Sequence, residues 1–256
     1  MPRKSNAPYK GPPPWLDPTA EWSLAGSAAY TKPAFIRACM EGLLAAGCSP
    51  WQASQVAANA MGESAWGAKC YHANPYGWKI TQAFADAHKA RTGHPAPWWK
   101  ARGNVDSADS AWCFYRAFGM LSDSLAEWVK NFVPHPDRTA PMTRYVATGR
   151  AFWRNDPRWF EELIRAGYKG APSKALLRDI YAGTKPGPHP SVKAHEWIAN
   201  EVLEVWAQWC LGIDPDGAWG PKSIAAMRAW QTAKGLPVTG KVDAATIPTL
   251  LAVKSP

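Results

Sequence analysis

The run Thr184-Lys185-Pro186-Gly187-Pro188-His189-Pro190 restricts what this chain can fold into more than any other stretch. Its alternate prolines remove backbone donors and clash with a preceding helical turn, so no helix continues through it. The chain therefore reads as two parts joined by a linker at 184–190. Downstream, at 191–256, a helix is predicted over about Val192–Leu211, followed by an internal repeat. Asp216-Gly217-Ala218-Trp219-Gly220-Pro221-Lys222-Ser223-Ile224 realigns on Thr239-Gly240-Lys241-Val242-Asp243-Ala244-Ala245-Thr246-Ile247. Each copy is a glycine turn followed by a Ser/Thr-led helix start.

Upstream, residues 1–18 are proline-rich (Pro12, Pro13, Pro14, Pro18) and read as an extended arm. Helical patterns dominate 19–183. The best start signal is Ser49-Pro50-Trp51-Gln52, a capping box with proline at the first helical position. The helix it opens carries Val56, Ala57, Ala60 and Met61 at helical spacing. Further helices are predicted over Pro33–Ala46, Leu121–Phe132, Arg158–Ala166 and Lys174–Tyr181. Cys70–Ala111 is loop-rich and predicts a smaller lobe with a short hairpin. The fold class is mainly α.

The chain has 29 basic and 20 acidic residues, a net charge of +9, which favours an anionic polymer as partner. Its 16 tryptophans suit sugar faces as well as cores. No nucleic-acid motif accompanies them, so nucleic acid is not the expected partner. The five cysteines are odd in number and form no Cys-x-x-Cys pair, and they read as buried free thiols. The six histidines show no ligand spacing, so neither a metal nor a cofactor is expected. No apolar run is long enough to cross a bilayer. Met-Pro-Arg-Lys is followed by no apolar segment, so the expectation is synthesis in the cytoplasm without a signal peptide, as a monomer.

The pattern Asp216-Gly217…Trp219-Gly220-Pro221…Ser223…Trp230-Gln231…Gly235-Leu236-Pro237-Val238…Gly240…Thr246…Leu250 resembles the three-helix peptidoglycan-binding domain carried by many wall hydrolases. Ile224, Met227 and Trp230 line one helix face, and Leu236 and Val238 are expected to close the small core. The resemblance implies a groove for a peptidoglycan stem or glycan, lined by Asp216, Trp219, Trp230 and Gln231. The plainer alternative, weighted more heavily for Trp230, is that both tryptophans are core.

In the first part, Gly62-Glu63-Ser64-Ala65-Trp66-Gly67 resembles the Glu-Ser-Gly-Trp-Gly segment of the glucosaminidase family that includes flagellar muramidase-like proteins and autolysins (glycoside hydrolase family 73). Asn74-Pro75-Tyr76-Gly77-Trp78-Lys79 is similar to that family's Asn-Leu-Phe-Gly-Ile-Lys. Phe114-Tyr115-Arg116-Ala117-Phe118 and the stretch from Tyr145 to Tyr168 follow in register. The resemblance implies a lysozyme-like, two-lobed helical domain with a small loop/β lobe, acting on wall glycan.

Cleaving a β-1,4 glycosidic bond needs a carboxylic acid still protonated near neutral pH. Glu63, at the C-terminal end of its helix, faces the negative end of the dipole and apolar neighbours, and both raise its pKa. The alternative is an ordinary solvated helix-end glutamate. The family's second acid belongs before Phe114, where this chain has Arg102 and no glutamate. Asp106 and Asp109 are the nearest candidates, and substrate assistance supported by Tyr168 is the other route. Trp66, Asn74, Tyr76 and Trp78 are expected to line the cleft, Asn74 holding an acetamido group. For Trp66 and Trp78 lobe packing is the equal alternative. The function expected is a peptidoglycan hydrolase of phage-lysis type acting on the wall after release, cutting as a glucosaminidase. Muramidase action and a non-catalytic wall-binding or virion role are the alternatives.

Overall fold

The structure, a computed structural model, describes residues 12–23, 30–65, 67–102, 112–168 and 190–251. The predicted helix at Lys174–Tyr181, the run 184–189, the arm before residue 12, and Trp66, Asp106 and Asp109 all lie outside the described residues. The fold is mainly helical, with one two-stranded sheet. In chain order come α1 (Lys32–Ala45), α2 (Pro50–Ser64), α3 (Gln82–Thr92), β1 (Trp98–Arg102), β2 (Trp112–Arg116) and α4 (Leu121–Phe132). Then follow α5 (Val146–Trp153), α6 (Trp159–Arg165), α7 (Pro190–Cys210), α8 (Pro221–Ala233) and α9 (Ile247–Leu251).

Helix α2 is the axle. Ser49 accepts from the Gln52 amide at 3.2 Å and the Gln52 side chain accepts from the Ser49 amide at 2.9 Å, so the predicted capping box forms. Almost every side chain from Pro50 to Met61 is buried, because α1, α4 and α7 pack around it. Small residues (Ala53, Ser54, Ala57, Ala58, Ala60) permit those close approaches. Helix α1 brings Phe35, Ile36, Cys39, Met40 and Leu43 to the core, one stripe at helical spacing. Helix α7 lies along α2 with Ile198, Ala199, Val202, Leu203 and Trp206 buried in the same cluster. Lys32 at the start of α1 pairs with Glu201 of α7.

A second, smaller core of Leu16, Ala20, Ile80, Ala96 and Trp98 marks the small lobe. Its antiparallel hairpin pairs Trp98 with Arg116 and Lys100 with Phe114. Two expectations are corrected here. The arm is not extended over its described part: Leu16 is buried, Asp17 caps a short 3₁₀ turn at Pro18–Ala20, and the Trp98 indole donates to the Asp17 carbonyl at 2.7 Å. Residues 82–92, read as loop, form α3, capped by Thr81 and ended by Gly93 at φ +76°. All five cysteines are buried and free. No helix among the described residues is long and apolar enough to cross a membrane.

Candidate active site and wall-binding module

One face of α2 carries a polar ladder, Gln52, Gln55, Asn59 and Glu63, spaced three or four residues apart and running through the buried helix. Its lower rungs are satisfied structurally. Gln52 donates to Asn155 Oδ1 at 3.1 Å, and Gln55 Oε1 accepts from the Trp159 indole at 3.1 Å. The upper rungs meet Tyr168. Asn59 Nδ2 donates to the Tyr168 hydroxyl at 2.9 Å and the Trp128 indole donates to it at 3.3 Å. With both lone pairs taken, the hydroxyl proton has one direction left, and it is donated to Glu63 Oε1 at 3.2 Å.

Local sequence explains why Tyr168 stands there. Helix α6 ends in a Schellman motif: the Gly167 amide bonds the Ile164 carbonyl at 2.9 Å and the Tyr168 amide bonds the Leu163 carbonyl at 3.2 Å. Gly167, at φ +90°, supplies the left-handed turn that throws Tyr168 back towards α2. At the end of α2 that role falls to Ala65, at φ 50°, rather than to a glycine.

Burial pushes the Glu63 carboxyl up to about 7, against a smaller downward pull from the Tyr168 hydrogen bond. Desolvation wins because the ionised form loses water and gains a single donor. The tyrosine hydroxyl donates to Oε1, which leaves Oε2 as the oxygen open to carry the carboxyl proton. Burial and the nearby Glu63 charge in turn push the Tyr168 hydroxyl upward, so it stays protonated.

The other predicted site residues divide. Tyr76 reaches the cluster, its ring stacked on Trp128 at 5.7 Å and its hydroxyl buried without a hydrogen-bond partner among the described residues. Trp78 packs edge-on to Phe132 at 5.9 Å and under the Arg116 guanidinium at 4.6 Å. Asn74 is a correction. It is 2% exposed, its amide donates to the Trp78 and Arg116 carbonyls at 3.1 and 3.0 Å, and its oxygen accepts from the Trp78 amide. Both its protons are spent locking the small lobe, and none is left for an acetamido group. Asn59 and Trp128, which hold Tyr168, went unread in the sequence. The signal for Asn59 was an amide one helical turn before Glu63 in an alanine-rich helix.

The C-terminal part is built on a duplicated staple. Gln208 Nε2 donates to Asp216 Oδ1, the Ala218 carbonyl and Ser223 Oγ at 2.8, 3.2 and 3.1 Å, while its oxygen accepts from the Gly217 amide at 2.9 Å. Gln231 repeats this with Thr239 Oγ1, the Lys241 carbonyl, Thr246 Oγ1 and the Gly240 amide, at 2.9, 3.1, 3.0 and 2.8 Å. The sequence repeat is thus a repeated glutamine-centred turn. Residues 208–250, from the first staple to the fully buried Leu250, match the family model described as a putative peptidoglycan binding domain. These residues form a peptidoglycan-binding domain. The chain is accordingly a modular, cell-wall-associated protein with peptidoglycan as its partner. Comparison with curated proteins and with solved structures finds no match.

Within this peptidoglycan-binding domain, Gln231 is fully buried, which corrects its expected place in an exposed groove. Asp216 is exposed but anchors the first turn, accepting from the Ala218 amide at 2.8 Å. The Trp219 and Trp230 indoles are half-buried and tied to Gly240 O at 3.1 Å and Thr249 Oγ1 at 3.0 Å. Val238, expected in the core, is 53% exposed. Among the described residues no group of acidic, histidine or cysteine side chains could hold a metal ion.

Proposed function

We propose that the chain is a peptidoglycan hydrolase that cleaves β-1,4 glycosidic bonds, with Glu63 as general acid. The observation that carries this reading is a half-buried carboxyl whose proton affinity is raised to about 7 while a fully committed tyrosine proton holds one of its oxygens. A glycosidic oxygen leaves readily when it is protonated as the bond breaks, and a carboxyl at this pKa is still about half loaded at neutral pH. Tyr168 fixes the carboxyl orientation through Oε1, so Oε2 presents the proton.

The second group falls to Asp106, Asp109 or the substrate's own acetamide. The peptidoglycan-binding domain keeps the acid at high local concentration on its polymer. The setting proposed is phage-driven lysis, with the wall reached after release from the host cytoplasm.

The decisive experiment incubates purified walls with the protein and its Glu63→Gln variant and identifies the fragments by mass spectrometry. A new N-acetylglucosamine reducing end, absent with the variant, is the expected result. A muramic acid reducing end would make the enzyme a muramidase. Lysis retained by the variant would remove Glu63 from the mechanism.

A further inference from the structure

Beyond α4, away from the Tyr168 cluster, lies a cavity of about 460 Å³. Its wall includes Val129 and Lys130 of α4, Pro134, His135 and Arg138 of the following loop, and Trp153 at the end of α5. The wall is firmly built. The Trp153 indole donates to the Val133 carbonyl at 2.8 Å, and its ring lies 4.8 Å from His135. Helix α5 reaches this loop at Gly149, where a Cβ would stand 2.1 Å from the Pro134 carbonyl oxygen.

No carboxylate lines the cavity among the described residues. Asp137, in the same loop, has its side chain 86% exposed and lies 3.5 Å from His135. Lys130 and Arg138 are exposed and have no acidic partner among the described residues. The neighbouring cavity, which shares Ala126 and Lys130, is mixed in sign because Asp123 and Glu127 line it. A cavity with an aromatic wall and two cations engaged in no ion pair among the described residues matches an anionic sugar, whose ring lies on the apolar wall while its acid group meets the cations.

We infer that this cavity is a second wall-binding site, taking a carboxylate-bearing segment of peptidoglycan. Peptidoglycan is chosen over other anionic polymers because the chain already carries a domain for it at residues 208–250. The inference rests on that partner and not on the chemistry at Glu63.

The test uses full-length Glu63→Gln protein, so that the wall is not cut during measurement. Co-sedimentation is run with peptidoglycan stripped of phosphate polymers and with walls that retain them. Reversing both cations (Lys130→Glu with Arg138→Glu) should weaken binding to stripped peptidoglycan roughly tenfold and flatten its salt dependence. An unchanged thermal midpoint, and a smaller effect from Arg138→Ala alone, separate lost contact from misfolding. Unchanged binding by the double variant, where the parent binds, overturns the second site alone. Weakening confined to walls retaining phosphate polymers overturns the assignment to peptidoglycan. Failure of the parent itself to bind overturns both this site and the partner.

Discussion

Two regions of this molecule, the glutamine-centred turns of the C-terminal domain and the end of α2, treat buried polar groups in opposite ways. In the C-terminal domain Gln208 and Gln231 are buried, and each has its amide and its oxygen fully occupied. At the end of α2, Glu63 is half-buried and accepts from one donor, Tyr168, and the Tyr76 hydroxyl beside its cluster has no partner among the described residues. Satisfied networks rigidify a fold, whereas an under-satisfied group stores free energy that chemistry can use. The glutamines are scaffold, whereas Glu63 is left short of donors, which is what the proposed general acid requires.

That contrast is open to direct attack. The largest effect is expected from Glu63→Gln, which should lower wall lysis by about 10³-fold, the usual size of a lost general acid. The same variant should be more stable than the parent. Glu63 holds its proton up to about 7 when folded but only to its ordinary 4.5 when unfolded. The folded form therefore binds the extra proton between those values, and stability is lost as pH rises through that window. The variant's advantage should be absent below about pH 4.5 and reach roughly 2 to 3 kcal/mol above pH 7, read by urea unfolding across pH. Parent activity should fall on the alkaline side of about pH 7.

Next in size is Gln231→Ala. It strands the groups that the amide now satisfies and should cost about 3 kcal/mol and weaken wall binding to what the rest of the chain supplies, measured by denaturation and co-sedimentation. A neutral result would mean that the repeat is not held by its glutamines.

Tyr168→Phe is smaller. It leaves Asn59 and Trp128 without their acceptor, at a cost of roughly 1 to 2 kcal/mol. It also removes the donor that lowers the Glu63 pKa, so the alkaline limb of the pH–rate profile should move to higher pH. An unmoved limb would detach the tyrosine from the acid.

The smallest effect is a gain. Ala65→Gly relieves a left-handed alanine at the end of α2 and should raise stability by about 1 kcal/mol in thermal denaturation.

Much of this architecture was legible in the sequence wherever a local signal had a single reading. The capping box at Ser49 placed α2, and Leu121–Phe132 appears as predicted because its apolar stripe buries Leu121, Leu125 and Trp128. Helix α3 was missed for the converse reason: none of its side chains is buried, so no stripe marks it. The raised proton affinity of Glu63 has the direction expected from its apolar neighbours, and burial is its cause.

The surroundings of Glu63 were legible only in part: Tyr168 was expected at the site, but the bonds that Asn59 and Trp128 make to it arise from tertiary packing. The errors at Asn74 and Gln231 share one cause. A polar residue inside a recognisable motif reads as a ligand contact, yet each amide is consumed by the protein itself: Asn74 by carbonyls of its own turn and of β2, Gln231 by the backbone and hydroxyl groups of the turn it holds.

Helix α7 bears on how this protein comes apart. Although a proline run precedes it, its buried face is inserted beside α2 and α1, where His195 stacks on Phe160 at 3.8 Å and meets Gln55 Oε1 at 3.1 Å. A cut at the proline run would sever the polypeptide without separating two self-sufficient pieces. The upstream fragment would expose the apolar floor on which α7 lies, and the downstream fragment would carry a helix with its greasy side in water. Heating the intact chain should therefore produce one melting transition rather than two.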